Sequence, residues 1–511
     1  MAKTNPRELP KLLITKIIKR NGAEKSEVWN GMFQTSAFWV KRCVAAFYIS
    51  DISEFSTFRP SSGDLLKLFQ LAIVDEVEKE SAVQFFKSPT YFRQISKRLK
   101  DKLLDGILLN SFTQLTKFEQ THFRIRKRNL EMMMLLQSGK KETAITIGEE
   151  TLLSAERYGL VDVALNMSRE LEHHYSVVDT NTAKRDKYYL KNLRNQKLLL
   201  QEIKAQSLFS ELAFYIKKNR STEHVPGFIE LLEVLSRENK EYKFNLYYYS
   251  VKNLYARYKG DQEQIIINCK EAADFFNRST TILPYTTAWN FKFQMIPVYL
   301  TKRHFGNASI LIEECLKLPS KGSYNWHLTL LYKAVLGFHN NKRLTVINAF
   351  QQAQKVPKKF KSDEVEGRWK IVGAYLALFK KVGQLKYPVE FRTYRFLNDT
   401  KANATAKVNM KILELLHLLL DGKKKAYMAI MEHIEQYISR NLKGNARAKY
   451  FLRMLRAVED GDYNALRVEA HAKKHYDLLR RTASTININV LDSEPVPYSV
   501  LWEIVMAHLR P

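Results

Sequence analysis

Glycine and proline are scarce in this chain, at 18 and 13 of 511 residues. All-β folds use both at their many turns, so the shortage argues against a sandwich, barrel or propeller and favours helices joined by short turns. Cysteine is scarcer still: Cys43, Cys269 and Cys315 are the whole set. Their wide spacing supports neither a disulfide framework nor a structural zinc site, and it predicts a reducing compartment. Long hydrophobic runs are missing as well. The longest, MMMLLQ and LELLHLLL, fall far short of the ~20 residues that a membrane-spanning helix needs. The basic N-terminal stretch MAKTNPRELPKLLITKIIKRNG never becomes apolar over the length of a signal peptide. Together these absences predict a cytoplasmic protein without a membrane segment.

The signatures of common chemistry are also lacking. There is no G-x-x-x-x-G-K-[ST] phosphate loop, no G-x-G-x-x-G after a strand, no H-E-x-x-H and no paired C-x-x-C. His173 and His174 are neighbours, so on a helix they point about 100° apart and cannot chelate one ion. His471 and His475 share a helix face at i, i+4, but Lys473 and Lys474 between them repel a cation. The expectation is a non-enzyme with no catalytic residue, no cofactor and no metal.

What the chain has in excess is positive charge. Lys and Arg outnumber Asp and Glu by 82 to 53, a net charge of +29. A field of that size concentrates polyanions and accelerates their encounter. The excess is uneven: residues 1–130 hold 23 basic against 13 acidic side chains, and residues 342–408 hold 15 against 5. The partner expected is an acidic macromolecule, RNA, DNA or a nucleoprotein assembly ahead of an acidic protein.

The organisation of the chain is read from a recurring phrase. A Gly or Asn precedes a short polar stretch and then an amphipathic run rich in small residues, at Gly139, Gly260, Gly306, Asn341, Gly422 and Gly461. Neighbouring phrases lie 121, 46, 35, 81 and 39 residues apart, roughly multiples of 40. Repetition near that period marks stacked helix pairs. The small residues, among them Ala144, Ala155, Ala164, Ala272, Ala349, Ala353 and Ala429, let the two helices of a pair approach closely. Between Gly139 and Gly260 further helices are expected at Thr182–Ala205, Ser207–Lys218, Val225–Arg237 and Tyr242–Tyr258. The fold expected is all-α, a right-handed α-solenoid of roughly eight to ten helix pairs. Its divisions are a non-repeat helical module over residues 1–130, the repeat array over 131–481, and a C-terminal segment over 482–511. That last segment holds an extended stretch from Thr482 and a capping helix, Tyr498–Leu509.

Residues 131–174, EMMMLLQSGKKETAITIGEETLLSAERYGLVDVALNMSRELEHH, resemble the helix–turn–helix units of divergent tetratricopeptide-like proteins. In those units a Gly follows the first helix, and an Ala-marked second helix ends in a Tyr-Gly-Leu turn, here Tyr158-Gly159-Leu160. The layout as a whole is similar to large cytoplasmic repeat proteins common in Bacteroidota. The resemblance implies a binding scaffold and supplies no catalytic residues.

Candidate binding residues follow from charge and aromatic content. Arg124, Arg126, Lys127 and Arg128 form a basic run on an amphipathic helix. Lys355, Lys358, Lys359, Lys361, Arg368, Lys370, Arg392 and Arg395 are mixed with Phe360, Trp369, Tyr387, Phe391, Tyr394 and Phe396, a pattern suited to phosphate attraction and base stacking. Arg440, Lys443 and Arg447 continue that polarity. The alternative is a peptide- or protein-binding regulator that uses a concave aromatic surface at Tyr242, Asn245, Tyr248, Tyr249, Lys252 and Tyr255.

Overall fold

The computed structural model describes residues 116–218, 220–357, 362–385, 404–441, 446–482 and 494–510, with five positions between 91 and 98. Among them are 17 helices and no strand, as the shortage of turn-formers led one to expect. Most of the helical module expected before residue 116, and the extended stretch after Thr482, lie outside the described residues.

The chain divides into two compact units, Met1–Leu193 and Arg194–Pro511. In the first, α1 (Lys117–Gln137), α2 (Lys141–Arg157) and α3 (Val161–Val177) each pack on the next, and α1 also meets α3. Their core is Ile125, Met132, Ala144, Leu152, Ala155, Ala164, Met167 and Leu171, all buried. The boundary expected at residue 130 falls inside α1. The charge run before it changes the composition of the helix but contains no breaker. α4 (Thr182–Lys217) begins in this unit and ends in the second. It is one 36-residue helix where two were expected. Gln206 and Ser207 at the anticipated break are polar but are neither Gly nor Pro, and neither interrupts a helix.

The second unit continues with α5 (Val225–Glu238), α6 (Tyr242–Lys259), α7 (Gln262–Asn277), α8 (Tyr285–Thr301), α9 (Phe305–Lys317), α10 (Tyr324–His339) and α11 (Arg343–Gln354). It ends with α12 (Asp363–Lys381), α13 (Ala404–Leu420), α14 (Lys424–Asn441), α15 (Ala446–Asp460), α16 (Ala465–Arg481) and α17 (Tyr498–Leu509). From α5 to α17 each helix packs on its successor, and α8, α10 and α12 also meet one another in turn.

Tight turns give this unit its regularity. Left-handed residues that each close one such turn stand at Gly260, Arg303, Asn341, Gly383, Gly422 and Asp462, spaced 43, 38, 42, 39 and 40 residues apart; Gly322 and Tyr463 are left-handed as well, outside that series. In each turn the following N–H reaches the carbonyl five positions back, as in Asp261 to Ala256, His304 to Tyr299 and Gln384 to Phe379, at 2.8 to 3.0 Å. That closure satisfies the carbonyls orphaned at a helix end. The first unit has the same closure at Gly139 and at Gly159 of the Tyr-Gly-Leu turn. The phrase thus locates the turns at Gly139, Gly260, Asn341 and Gly422. At Gly306 and Gly461 it is displaced: Gly306 lies within α9, and the left-handed residues are Arg303 and Asp462–Tyr463. Gly461 serves close packing instead, since a Cβ there would meet the Val468 backbone N at 2.8 Å. Gly383, which has no phrase, halves the 81-residue gap.

A buried polar ladder links helices one period apart. Trp289 Nε1 donates to Thr329 Oγ1 at 3.0 Å, Trp369 Nε1 donates to His327 Nδ1 at 3.2 Å, and His417 Nε2 meets the Ala374 carbonyl at 3.1 Å. These join α8 to α10, α10 to α12 and α12 to α13. The last helix does more than close the free end. α17 packs on α16 and also turns back onto α13. Tyr498 stacks on Phe451 at 4.6 Å and donates to Asn409 Oδ1 at 2.9 Å. Leu501, Trp502, Ile504, Val505 and Met506 are buried beside it. No helix among the described residues is long and apolar enough to cross a membrane.

Candidate nucleic-acid interface

On α1, the side chain of Thr116 accepts from the Glu119 N–H at 3.3 Å while Glu119 Oε2 accepts from the Thr116 N–H at 2.9 Å, a reciprocal cap that fixes the helix start. Ile125 and Met132 anchor the inner face, and Arg124, Arg126, Lys127 and Arg128 face solvent. Two of the four are already neutralised. Arg126 donates to Asp162 at 2.8 Å, and Arg128 pairs with Glu131 at 3.2 Å. Arg124 and Lys127, one turn apart, have no carboxylate at ion-pair distance among the described residues.

The second basic stretch is divided by the fold. Lys355 ends α11, exposed. Lys358, Lys359, Lys361, Arg392 and Arg395 lie outside the described residues, as do Phe360, Tyr387, Phe391, Tyr394 and Phe396. On α12, Arg368 binds Glu364 at 2.5 Å and Lys370 binds Glu366 at 3.0 Å, each one turn away. Trp369 is 1% exposed and hydrogen-bonded to His327, so it is a core residue with no face for a base.

Of the third group, Arg440 is exposed and Lys443 lies outside the described residues. Arg447 is a brace rather than a contact surface. Its guanidinium grips the Glu494 carboxylate through Nε and, at 3.0 Å, through Nη2, and Nη1 donates to the carbonyls of Leu479, at 2.7 Å, and Thr482. Glu494 Oε2 also accepts from the Tyr498 N–H at 3.3 Å. One buried ion pair thus ties α15 to the end of α16 and the start of α17.

Of the six candidates for a peptide surface, three are core residues and three are partly buried. Tyr242, Asn245 and Tyr248 are buried, because α6 packs on α5 along one side and on α7 along the other. Asn245 Nδ2 donates to the carbonyls of Asn239 and Glu241 at 2.9 and 3.0 Å, bracing the start of its own helix. Burial pushes the Tyr248 hydroxyl up to about 12 and raises that of Tyr249 as well. Tyr249 is surrounded by Phe275, Phe276 and Phe291. Lys252 pairs with Glu271 at 2.7 Å, above the rings of Tyr248 and Tyr249. Tyr255 is half-buried, with Lys259 over its ring.

The clearest cationic surface lies on α16, outside the candidates chosen from sequence. Asn464 caps the helix, its Oδ1 accepting from the N–H groups of Leu466 and Arg467 at 3.1 and 3.2 Å. Val468, Ala472 and Leu479 form a narrow buried stripe. Lys473, Lys474, Arg480 and Arg481 are exposed, and none has a carboxylate at ion-pair distance among the described residues. The acid Glu469 is taken by Arg510 at 3.0 Å. The positive field registers on His475, which burial first, then Arg453 and Lys474, hold below the usual imidazole value. The sequence signal was there to be used: cations at 467, 474 and 481, and at 473 and 480, recur every seven residues along one face.

Comparison of the chain with protein-family models, with curated proteins and with solved structures gave no match.

Proposed function

We propose that this chain is a non-catalytic scaffold of helix pairs, stacked as a tetratricopeptide-like right-handed solenoid, that binds single- or double-stranded nucleic acid or a nucleoprotein through exposed cations. The observation that carries this reading is the face of α16. Arg480 and Arg481 stand in the last turn, where a helix dipole favours cations in any protein. Lys473 and Lys474 stand two turns earlier and have no such explanation. Four cations without acidic partners on one anchored helix make a surface that phosphates can neutralise and release counterions from. A cytoplasmic location goes with this reading, supported by Cys269 and Cys315 being free, buried thiols pushed up to about 12 by burial.

The test is fluorescence anisotropy of labelled RNA and DNA oligomers against nuclease-treated protein, titrated from low to moderate salt, with polyglutamate as competitor. Binding that weakens with salt and resists polyglutamate is expected. Absence of binding to every oligomer at low ionic strength would falsify the reading. Capture by polyglutamate at equal charge would move the partner to an acidic protein.

A further inference from the structure

Resting on the polyanion reading, the geometry points to a second element of recognition: a pocket between α10 and α11 that receives one unpaired nucleotide of a bound strand. It is an open cleft of about 270 Å³ lined by Lys333, Thr345, Asn348, Gln351, Gln352 and Lys355, of which Asn348 and Lys355 are exposed. α11 is built for two faces. Val346, Ile347, Ala349 and Ala353 enter the core, while Thr345, Asn348, Gln352 and Lys355 recur at i, i+3, i+7 and i+10 along the side that faces the cavity.

The lining selects a ligand class by chemistry. Every side chain that lines it is polar, so apolar contact is limited to their methylene groups. No carboxylate lines it, and the neighbouring Glu313 is taken by Lys333, so a metal ion or an amine has no free counter-charge. Three primary amides converge, each offering a donor and an acceptor in one plane, and none of them is engaged by another group of the described protein. Paired donor and acceptor sites are what the edge of a nucleobase presents once it is released from a duplex. Lys355 stands at the helix end with no carboxylate partner among the described residues, a free charge for the phosphate. Lys333 differs: its Nζ is held by Glu313 at 2.7 Å. An unpaired base in the pocket therefore has three free amides on α11 and a paired ammonium on α10 within its lining. Base pairing in a duplex occupies the very edge the amides would read, so the pocket adds affinity for single strands alone.

The experiment compares a labelled 12-nucleotide RNA with the same strand annealed to its complement, by anisotropy at low salt. Three full-length proteins are used: wild type, Asn348→Ala/Gln352→Ala, and Lys473→Glu/Lys474→Glu. Alanine is the better helix former at both amide positions, so the first variant keeps α11 intact, as circular dichroism would verify. The amide variant is expected to lose about tenfold in single-strand affinity, or 1.4 kcal/mol, which two modest hydrogen bonds supply, and to bind duplex unchanged. The α16 variant is expected to lose affinity for both forms. Equal single-strand binding by wild type and the amide variant overturns the pocket while leaving the α16 surface standing. Loss of both forms in the amide variant also overturns it, since the amides would then act without regard to pairing. No binding by wild type removes the polyanion reading itself, and the pocket with it.

Discussion

Gly383 sits at φ +71°, in the left-handed region where a Cβ crowds the adjacent carbonyl, and it closes the turn after α12. Gly306 belongs to the first turn of α9, has no such dihedral and has nothing within 4 Å of a notional Cβ. The same substitution therefore has opposite signs at the two sites. Gly383→Ala is expected to lose roughly 1 to 2 kcal/mol, and Gly306→Ala to be neutral or to gain about 0.5 kcal/mol. Urea unfolding of the two variants measures both. Two histidines give the molecule a pH dependence of known sign. Burial holds His339 down to about 4, with Arg303 and Arg447 adding to it, and burial followed by Lys381 does the same for His417. The unfolded chain takes up these protons near pH 6.5, and the folded chain refuses them until about pH 4. Stability fully present above pH 6.5 is therefore lost as pH falls toward 4, by on the order of 2 kcal/mol for each histidine. His339→Gln/His417→Gln should flatten that acid limb relative to wild type in chemical denaturation between pH 7 and 4.5. An unchanged slope would refute the assignment.

Arg447 shows what one side chain does for three helices. By residue type and by its neighbours Arg440 and Lys443 it reads in sequence as a phosphate contact. Nothing in the local pattern reveals that Glu494, 47 positions on, folds back to meet it. Removing the guanidinium leaves a nearly buried carboxylate alone and strips two carbonyls at the end of α16 of their donor. Arg447→Ala is expected to cost about 3 to 5 kcal/mol. Arg447→Met/Glu494→Gln should recover a large part of that, because the uncompensated charge is removed too. Thermal unfolding of the single and double variants measures what the brace contributes. Elements were more legible than contacts. Glycine at a helix end marks a turn because backbone dihedrals are a local property, and so Gly139, Gly260 and Gly422 were found directly. Arg303 and Asp462 adopt the same geometry without the residue type that advertises it, and the phrase slid to the nearest glycine instead. The burial of the α6 tyrosines is illegible in sequence for a related reason. Tyrosines around a helix are visible in sequence, but helices packing on both sides are not, and those neighbours take up the rings.

At the scale of the molecule, a net charge of +29 was legible at once, but its availability was not. Availability is set by long-range pairing. Arg126 with Asp162, Lys302 with Glu263, Lys381 with Asp421 and Lys197 with Glu238 each join residues 36 to 41 apart, about one repeat period. The spacing of the helices thus also takes up part of the charge, since several cations meet acids on another helix about one period away, while others pair within a helix or with the next one. On α16, Glu469 is drawn off by Arg510, and the other acid of the helix, the exposed Asp477, stands among Lys473, Lys474, Arg480 and Arg481 without coming to ion-pair distance of any of them. This distinction has a measurable consequence in salt. Each phosphate neutralised by a free cation contributes about 0.7 to the slope of log affinity against log salt on a single strand. Replacing Lys473, Lys474, Arg480 and Arg481 by Gln should therefore lower the slope by up to about 3. Replacing Arg126, Lys197, Lys302 and Lys381, whose charge is already matched within the fold, removes as much formal charge and should leave the slope nearly unchanged. Parallel titrations of the two quadruple variants from 50 to 300 mM salt, roughly the range in which screening becomes strong, separate charge that is merely present from charge that is free to bind. Equal losses of slope would mean that net charge alone governs binding and that α16 has no special part in it.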